Sequence, residues 1–168
     1  MARLLAEQRE RWVILDTKPE DPENPTVAEL EAGVRAECFF TTNTRLSATG
    51  SATVNEASLC DSASAQTPST RQWEGSIEVF RDLDPDTGLP VSGGEAVYDA
   101  LNAYGEKVWL TRLRGPLYTE PIAADQPQTT FEVVLDAAQD PSSREGSFKE
   151  VIPVFVHNEW KGAVAAGA

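Results

Sequence analysis

Ser92-Gly93-Gly94-Glu95-Ala96-Val97-Tyr98-Asp99-Ala100-Leu101-Asn102-Ala103-Tyr104-Gly105 is the one segment whose periodicity clearly reads as an α-helix, and strand-like segments lie on both sides of it. Ala96, Val97, Ala100, Leu101 and Tyr104 recur at helical spacing and predict one buried stripe. Glu95, Asp99, Asn102 and Ala103 fall outside that stripe. Both ends are marked as well. Ser92 with Glu95 three residues on matches a capping box, and Gly105 stands where a left-handed residue ends a helix. The expectation is a helix that plugs one face of a β domain, its short side chains allowing close approach.

Immediately upstream, Gln72 to Leu83 alternates, with Trp73, Gly75, Ile77 and Val79 opposite Glu74, Ser76, Glu78 and Phe80, so one face of this strand is acidic. Asp84-Pro85-Asp86-Thr87-Gly88-Leu89-Pro90 then turns the chain into the helix. Downstream, Glu106 to Arg114 and Thr129 to Asp136 alternate again, and Ser147 to His157 reads as a last strand. Pro153 interrupts that strand. A proline cannot donate to a ladder, which predicts a sheet edge, a bulge or a bend at this position. The C-terminal tail, residues 158–168, ends in small apolar residues and reads either as a partner-contacting arm or as a frayed end.

Further upstream, an N-terminal arm, residues 1–10, precedes the apolar run Trp12-Val13-Ile14-Leu15, long enough for one strand, and an extended turn follows through Pro19, Asp21, Pro22 and Pro25. Thr26 with Glu29 forms a second capping-box pattern and Gly33 a second stop, so a short helical turn is expected. Val34 to Phe40 reads as a strand with Val34, Ala36, Cys38 and Phe40 on one face. Residues 41–71 are rich in Ser, Thr, Asn and Ala, with little to build a core. Part of this segment can pair as a hairpin around Gly50, while Asp61 to Thr70 reads as loop. A loop of such length in a compact domain is functional or disordered.

A chain of 168 residues suits a single domain spanning 1–168 and buries roughly 70% of its unfolded surface. Fourteen Lys and Arg against 27 Asp and Glu give a net charge of −13, which argues against an exterior that grips nucleic acid by neutralising phosphates. No segment approaches the ~20 apolar residues of a membrane span, and Glu7 to Arg11 interrupts the N-terminus before a signal-peptide core forms, so a cytosolic product is expected. Two cysteines, Cys38 and Cys60, make neither a disulfide framework nor a metal spacing.

Four patterns touch on chemistry. Asp86-Thr87-Gly88 matches the tripeptide of aspartic proteases, but prolines flank it, no second copy exists and the preceding apolar strand is missing. Asp82, Asp84 and Asp86 mimic the start of a calcium loop, yet Thr87 holds the glycine position and Gly93 the bidentate-glutamate position. His157, the one histidine, has no nucleophile near it in sequence, and Ser92-Gly93-Gly94 lacks the lysine of a phosphate loop. No enzyme, cofactor or metal site is expected. A hydrolase would need two of the carboxylates to converge in a concave pocket.

The order strand, long Ser/Thr/Ala-rich loop, strand, turn, helix, strands resembles the major tail tube protein family of long-tailed siphophages. The resemblance is carried by Pro25-Thr26-Val27-Ala28-Glu29-Leu30 leading into Val34 to Phe40, by Leu59-Cys60-Asp61, by Trp73 to Arg81, and by Glu95-Ala96-Val97-Tyr98 followed by Val108-Trp109-Leu110. It spans most of the chain and is weakest before Pro25. It implies a mainly β (α+β) fold, a β-sandwich or partial barrel flanked by one α-helix, related to the tube proteins of contractile tails and type VI secretion. It also implies six-membered rings of the protein with itself, stacked axially into a virion tail tube, assembled in the host cytoplasm, that DNA passes through. Implied partners are a tape-measure protein and tail tip and terminator proteins.

In this family the long loop reaches the adjacent ring. That implies an inter-ring stacking role for Asp61, Ser62, Ala63, Ser64, Ala65, Gln66, Thr67, Pro68, Ser69 and Thr70. Lumen-facing positions should be acidic on balance, because a phosphate backbone must slide without being held. The candidates are Glu37, Glu74, Glu78, Glu132 and Asp136, with Arg35 as a local exception. A one-residue change of register swaps the faces, so the sequence leaves their direction open. The alternative reading is a β-sandwich virion decoration or receptor-binding module that forms no tube.

Overall fold

The computed structural model describes residues 8–55, 66–91, 95–143 and 145–167. It is mostly β, with a large antiparallel sheet and two short helices, consistent with a β-sandwich. In chain order the elements are β1 (Glu10–Leu15), α1 (Val27–Ala32), β2 (Val34–Arg35), β3 (Arg45–Ala48), β4 (Thr53–Asn55) and β5 (Gln66–Pro68). They continue with β6 (Trp73–Phe80), α2 (Ala96–Leu101), β7 (Lys107–Arg114), β8 (Pro127–Leu135) and β9 (Lys149–Ala163). The strands of the sheet run β2-β1-β7-β8-β9-β6-β3, and β4 pairs with β5 separately.

Two layers arise because β9 changes partner along its length. Lys149 to Pro153 pairs with β6, whereas Val154 to Ala163 pairs with β8. Pro153 therefore sits at the hand-over, where a residue without an N–H is tolerated, and its carbonyl accepts from the Asp136 N–H at 3.0 Å. A bulge follows, since Glu132 and Val133 face Asn158 and Val156 with His157 extra. The β6–β3 half folds over the rest: Trp73 of β6 meets Phe131 of β8 edge-on at 6.2 Å, and Trp12 of β1 stacks on that same ring at 6.2 Å. Ile77, Val79, Leu110, Phe131, Val133 and Ile152 fill the space between.

A second cluster lies on the other side of the sheet. Val13, Leu15 and Leu113 pack there with Leu30 of α1, Ile122 and Val164. α1 starts at the expected capping box, with Glu29 N–H on Thr26 Oγ1 (3.2 Å) and Thr26 N–H on Glu29 Oε2 (2.8 Å). Gly33 ends α1 in an extended conformation, not a left-handed one. Its reason is space, because a Cβ there would lie 2.6 Å from Leu15 Cδ2 and Val13 Cγ1. The C-terminal tail is neither arm nor frayed end as far as residue 165. Residues 158–163 belong to β9, Val164 is buried, and Ala165 exchanges backbone hydrogen bonds with Pro25 and Val27. At the other terminus, Glu10 of the expected arm is already strand, and residues 1–7 lie outside the described residues.

Other expectations change. The strand predicted over Val34 to Phe40 stops at Arg35, and the N–H groups of Phe39 and Phe40 both turn back onto the Ala36 carbonyl. An alternating strand would send these adjacent aromatics to opposite faces, whereas the turn packs both against the main core and leaves Cys38 exposed. No hairpin forms around Gly50. β3 pairs with β6 and β4 with β5, and Gln66 to Pro68, read as loop, is strand β5.

The helix is shorter than its periodicity suggests. Ser92 to Gly94, the expected cap, lie outside the described residues. Glu95 takes the N-cap position without a side-chain cap bond, and α2 ends at Leu101. Val97 and Leu101 are buried in the main core as predicted, but Ala96 is exposed and Tyr104 is 77% exposed. The chain has left helical geometry by Asn102, so Tyr104 no longer continues the stripe, and Ala103 packs inward in its place. Gly105 does adopt a left-handed φ of +79°, in the turn whose N–H bonds the Leu135 carbonyl at 2.9 Å.

Candidate assembly surfaces

Residues 45–55 and 66–76 form a two-stranded arm. Beyond the β3–β6 pair, Thr49 N–H donates to Gln72 O (2.8 Å), Ala52 N–H to Thr70 O (3.0 Å) and Ser69 N–H to Ala52 O (2.7 Å), and β4–β5 continues the ribbon. None of its described residues between 47 and 72 belongs to either core cluster, and nearly all are exposed. The composition explains this, since Ser, Thr, Ala and Gly bury too little apolar area to hold a ribbon on the body. Of the stacking-loop candidates, Gln66, Thr67 and Pro68 form β5 and Ser69 and Thr70 its continuation, while Asp61, Ser62, Ala63, Ser64 and Ala65 lie outside the described residues.

Register settles which side of the sheet the charged candidates occupy. Glu78 faces Val151 and Ser76 faces Pro153, while Phe155, next on that side of β9, faces Val134 beside Glu132. Paired residues share a face, so Glu74, Glu78 and Glu132 all lie opposite the main core. Arg35 does too, through Val13, Thr111 and Thr130, although the second cluster occupies that face next to it. Asp136 follows β8 and turns its carboxylate onto the Ala137 N–H at 2.8 Å.

These charges differ in what they offer to solvent. Glu74 is exposed. Glu78 is buried beneath the 41–44 turn, where its carboxylate accepts from the Thr41 hydroxyl and from Asn43 Nδ2. Glu132 accepts from Lys107 and, at 2.7 Å, from Asn158 Nδ2, and the lysine first of all holds its carboxyl below the usual range. Arg35 donates to Glu37 and, at 2.9 Å, to the Tyr118 carbonyl. The Glu37 side chain is largely buried, with Oε2 lacking a partner among the described residues.

A charged cluster that the sequence did not reveal ties α2 to the sheet. Arg81 donates to both oxygens of Glu95 and to Glu150, and its guanidinium lies 3.7 Å from the centre of the Tyr98 ring. Tyr98 Oη completes the ring of contacts by donating to Glu150 at 2.7 Å. The signal available in sequence was a lone arginine closing an acidic strand, which has no period to detect.

The chemistry-like patterns resolve into structure. Asp84 Oδ1 accepts from the N–H groups of Asp86 and Thr87 and from the Thr87 hydroxyl, so it closes the turn that contains Asp86-Thr87-Gly88. Those bonds, from Thr87 first, hold its carboxyl below the usual range. His157 is exposed at the β9 bulge. No described helix is long and apolar enough to cross a membrane. No curated protein matches the chain closely. A family model described as phage tail tube protein matches residues 1–168, the whole chain. The mostly β fold with its uncovered arm is thus that of a structural component of the virion tail, and the chain belongs to the phage tail tube protein family.

Proposed function

We propose that this protein forms hexameric rings that stack into the tail tube of a long-tailed, siphophage-type bacteriophage, through which double-stranded DNA is delivered. The observation that carries the reading is the arm: a ribbon that its own core leaves uncovered is a natural contact between successive rings. Ring contacts close by rotation, whereas axial contacts do not close and so polymerise. Glu74, Glu132 and Asp136, with Arg35 at the β2 edge, are the proposed lumen-facing set, without Glu78 and Glu37, whose carboxylates are buried, and a balance of acid over base lets phosphates slide. The tape-measure, tip and terminator proteins are the proposed partners, the host cytoplasm is the site of assembly, and the role is structural, with no catalysis.

Ser69 N–H meets the Ala52 carbonyl at 2.7 Å, so residues 53–68 can be replaced by a short Gly-Ser link without moving the body. Negative-stain electron microscopy of the concentrated wild type should show stacked rings. The deletion should keep the folded monomer and lose the stacks. Tubes built by the deletion variant, or loss of its folded monomer, would refute the arm's assignment. A wild type that stays monomeric or forms only closed oligomers would favour the decoration or receptor-binding alternative.

A further inference from the structure

We propose that residues 115–120 form a hinged strap that lifts from the sheet as a unit, with the buried Arg11 and Glu37 side chains as its latch. The segment lies between two apolar anchors, Leu113 and Ile122, both in the second core cluster. None of its own residues, Leu117 and Tyr118 included, belongs to either cluster. Polar bonds hold it instead. Three arginines donate to its backbone: Arg9 Nη1 to the Gly115 carbonyl (2.8 Å), Arg11 Nη2 to that of Leu117 (2.6 Å) and Arg35 Nη2 to that of Tyr118 (2.9 Å). The Tyr118 N–H adds a bond to the Gln8 carbonyl at 2.9 Å. A cleft of about 280 Å³, lined by Tyr118 and Thr119 together with Arg35, Glu37, Cys38 and Phe39, leaves the flank of the strap unpacked. Segments with so few buried apolar contacts open at lower free energy than the core around them.

Charge sets how firmly the strap stays down. Arg11 is a cation only 1% exposed, and the Glu37 side chain is 6% exposed. Arg11 Nη1 and Glu37 Oε2 are both buried, and neither has a hydrogen-bond partner among the described residues. Burial first, and then the Arg35 charge, push the Arg11 guanidinium below its ordinary range, while Glu37 and Glu120 oppose them. Of those two carboxylates Glu120 belongs to an exposed residue, so Glu37 is the buried counter-charge. Removing one member of a buried pair leaves the other charge uncompensated, whereas replacing both by neutral groups is close to neutral. A strap closed over Arg11 is therefore stable only while Glu37 balances it, and lifting returns the guanidinium to water.

Hydrogen exchange read residue by residue by NMR on the folded protein tests the device. The Gly115, Tyr118 and Glu120 amides should exchange in step with one another and at least about tenfold faster than those of β8. Glu37→Gln, which keeps the side chain's shape, should speed the strap amides by a further factor of about ten and leave β8 unchanged. Adding Arg11→Met should bring them back to within about threefold of the wild type, because the uncompensated charge is gone. Strap amides that exchange only together with β8 would show that no separate strap exists. Strap rates unmoved by Glu37→Gln, an effect shared equally by β8, or a double variant that exchanges as fast as Glu37→Gln alone would each overturn the latch.

Discussion

Arg81 joins Glu95, Glu150 and the Tyr98 ring through one guanidinium. Its two-pronged bond to Glu95 is the strong form of an arginine–carboxylate pair. Glu95 is only 7% exposed, so its charge depends on that partner. Arg81→Ala strands the carboxylate and should cost about 3 kcal/mol, the low end for breaking a buried pair from one side, measured by urea denaturation at neutral pH. The pH dependence follows from direction. Bonding to Arg81 first of all holds the Glu95 carboxyl below its ordinary 4.5. Its stabilising contribution is therefore present above pH 4.5 and lost as pH falls through the lowered value. Glu95→Gln should flatten the acid limb of the stability curve. Tyr98 works at the other end: burial, then Glu150, push its hydroxyl up from 10.0 to about 12. That contribution is whole below pH 10 and lost as pH rises through about 12, which ultraviolet titration of the phenol can follow.

At the scale of elements, α2 has six residues, and helices far shorter than about 12 residues do not hold in water by themselves. Tertiary packing of Val97 and Leu101 keeps it folded, together with the Arg81 cluster. Leu101→Ala should cost about 3 kcal/mol, the usual loss for emptying a well-packed leucine site. Tyr104→Ala should stay within about 0.5 kcal/mol, as exposed substitutions do. Helical spacing treats the two positions alike, so equal losses in a denaturation series would show that the chain remains helical through Tyr104.

For the whole molecule, the charge of −13 means that any association between copies works against self-repulsion. Screening shortens from about 30 Å at 0.01 M salt to about 8 Å at 0.15 M. The protein concentration at which light scattering reports assembly should fall over that range of sodium chloride. A rise with salt would mean that ion pairs between copies, and not uncharged surfaces such as the arm, drive association.

Local rules carried the sequence a long way. An apolar run located β1, alternation located β6, β7 and β8, the Thr26–Glu29 box located α1, and Pro153 marked the point where β9 changes partner, because each depends on residues a few positions apart. The poverty of residues 41–71 in apolar side chains likewise foretold that the described residues 47–55 and 66–71 lie outside the core. Tertiary structure alone decided the rest. The buried Glu78 and the Arg81–Glu95–Glu150–Tyr98 cluster depend on residues 14 to 69 positions apart, a separation no periodicity encodes. The length of α2 and the outward turn of Tyr104 followed from where the core ended. Register, a property of pairs and not of single strands, put Arg35, Glu74, Glu78 and Glu132 on one side of the sheet. Among the described residues the second half of β9 has a partner strand on one side only, because β6 and β9 part after Pro153.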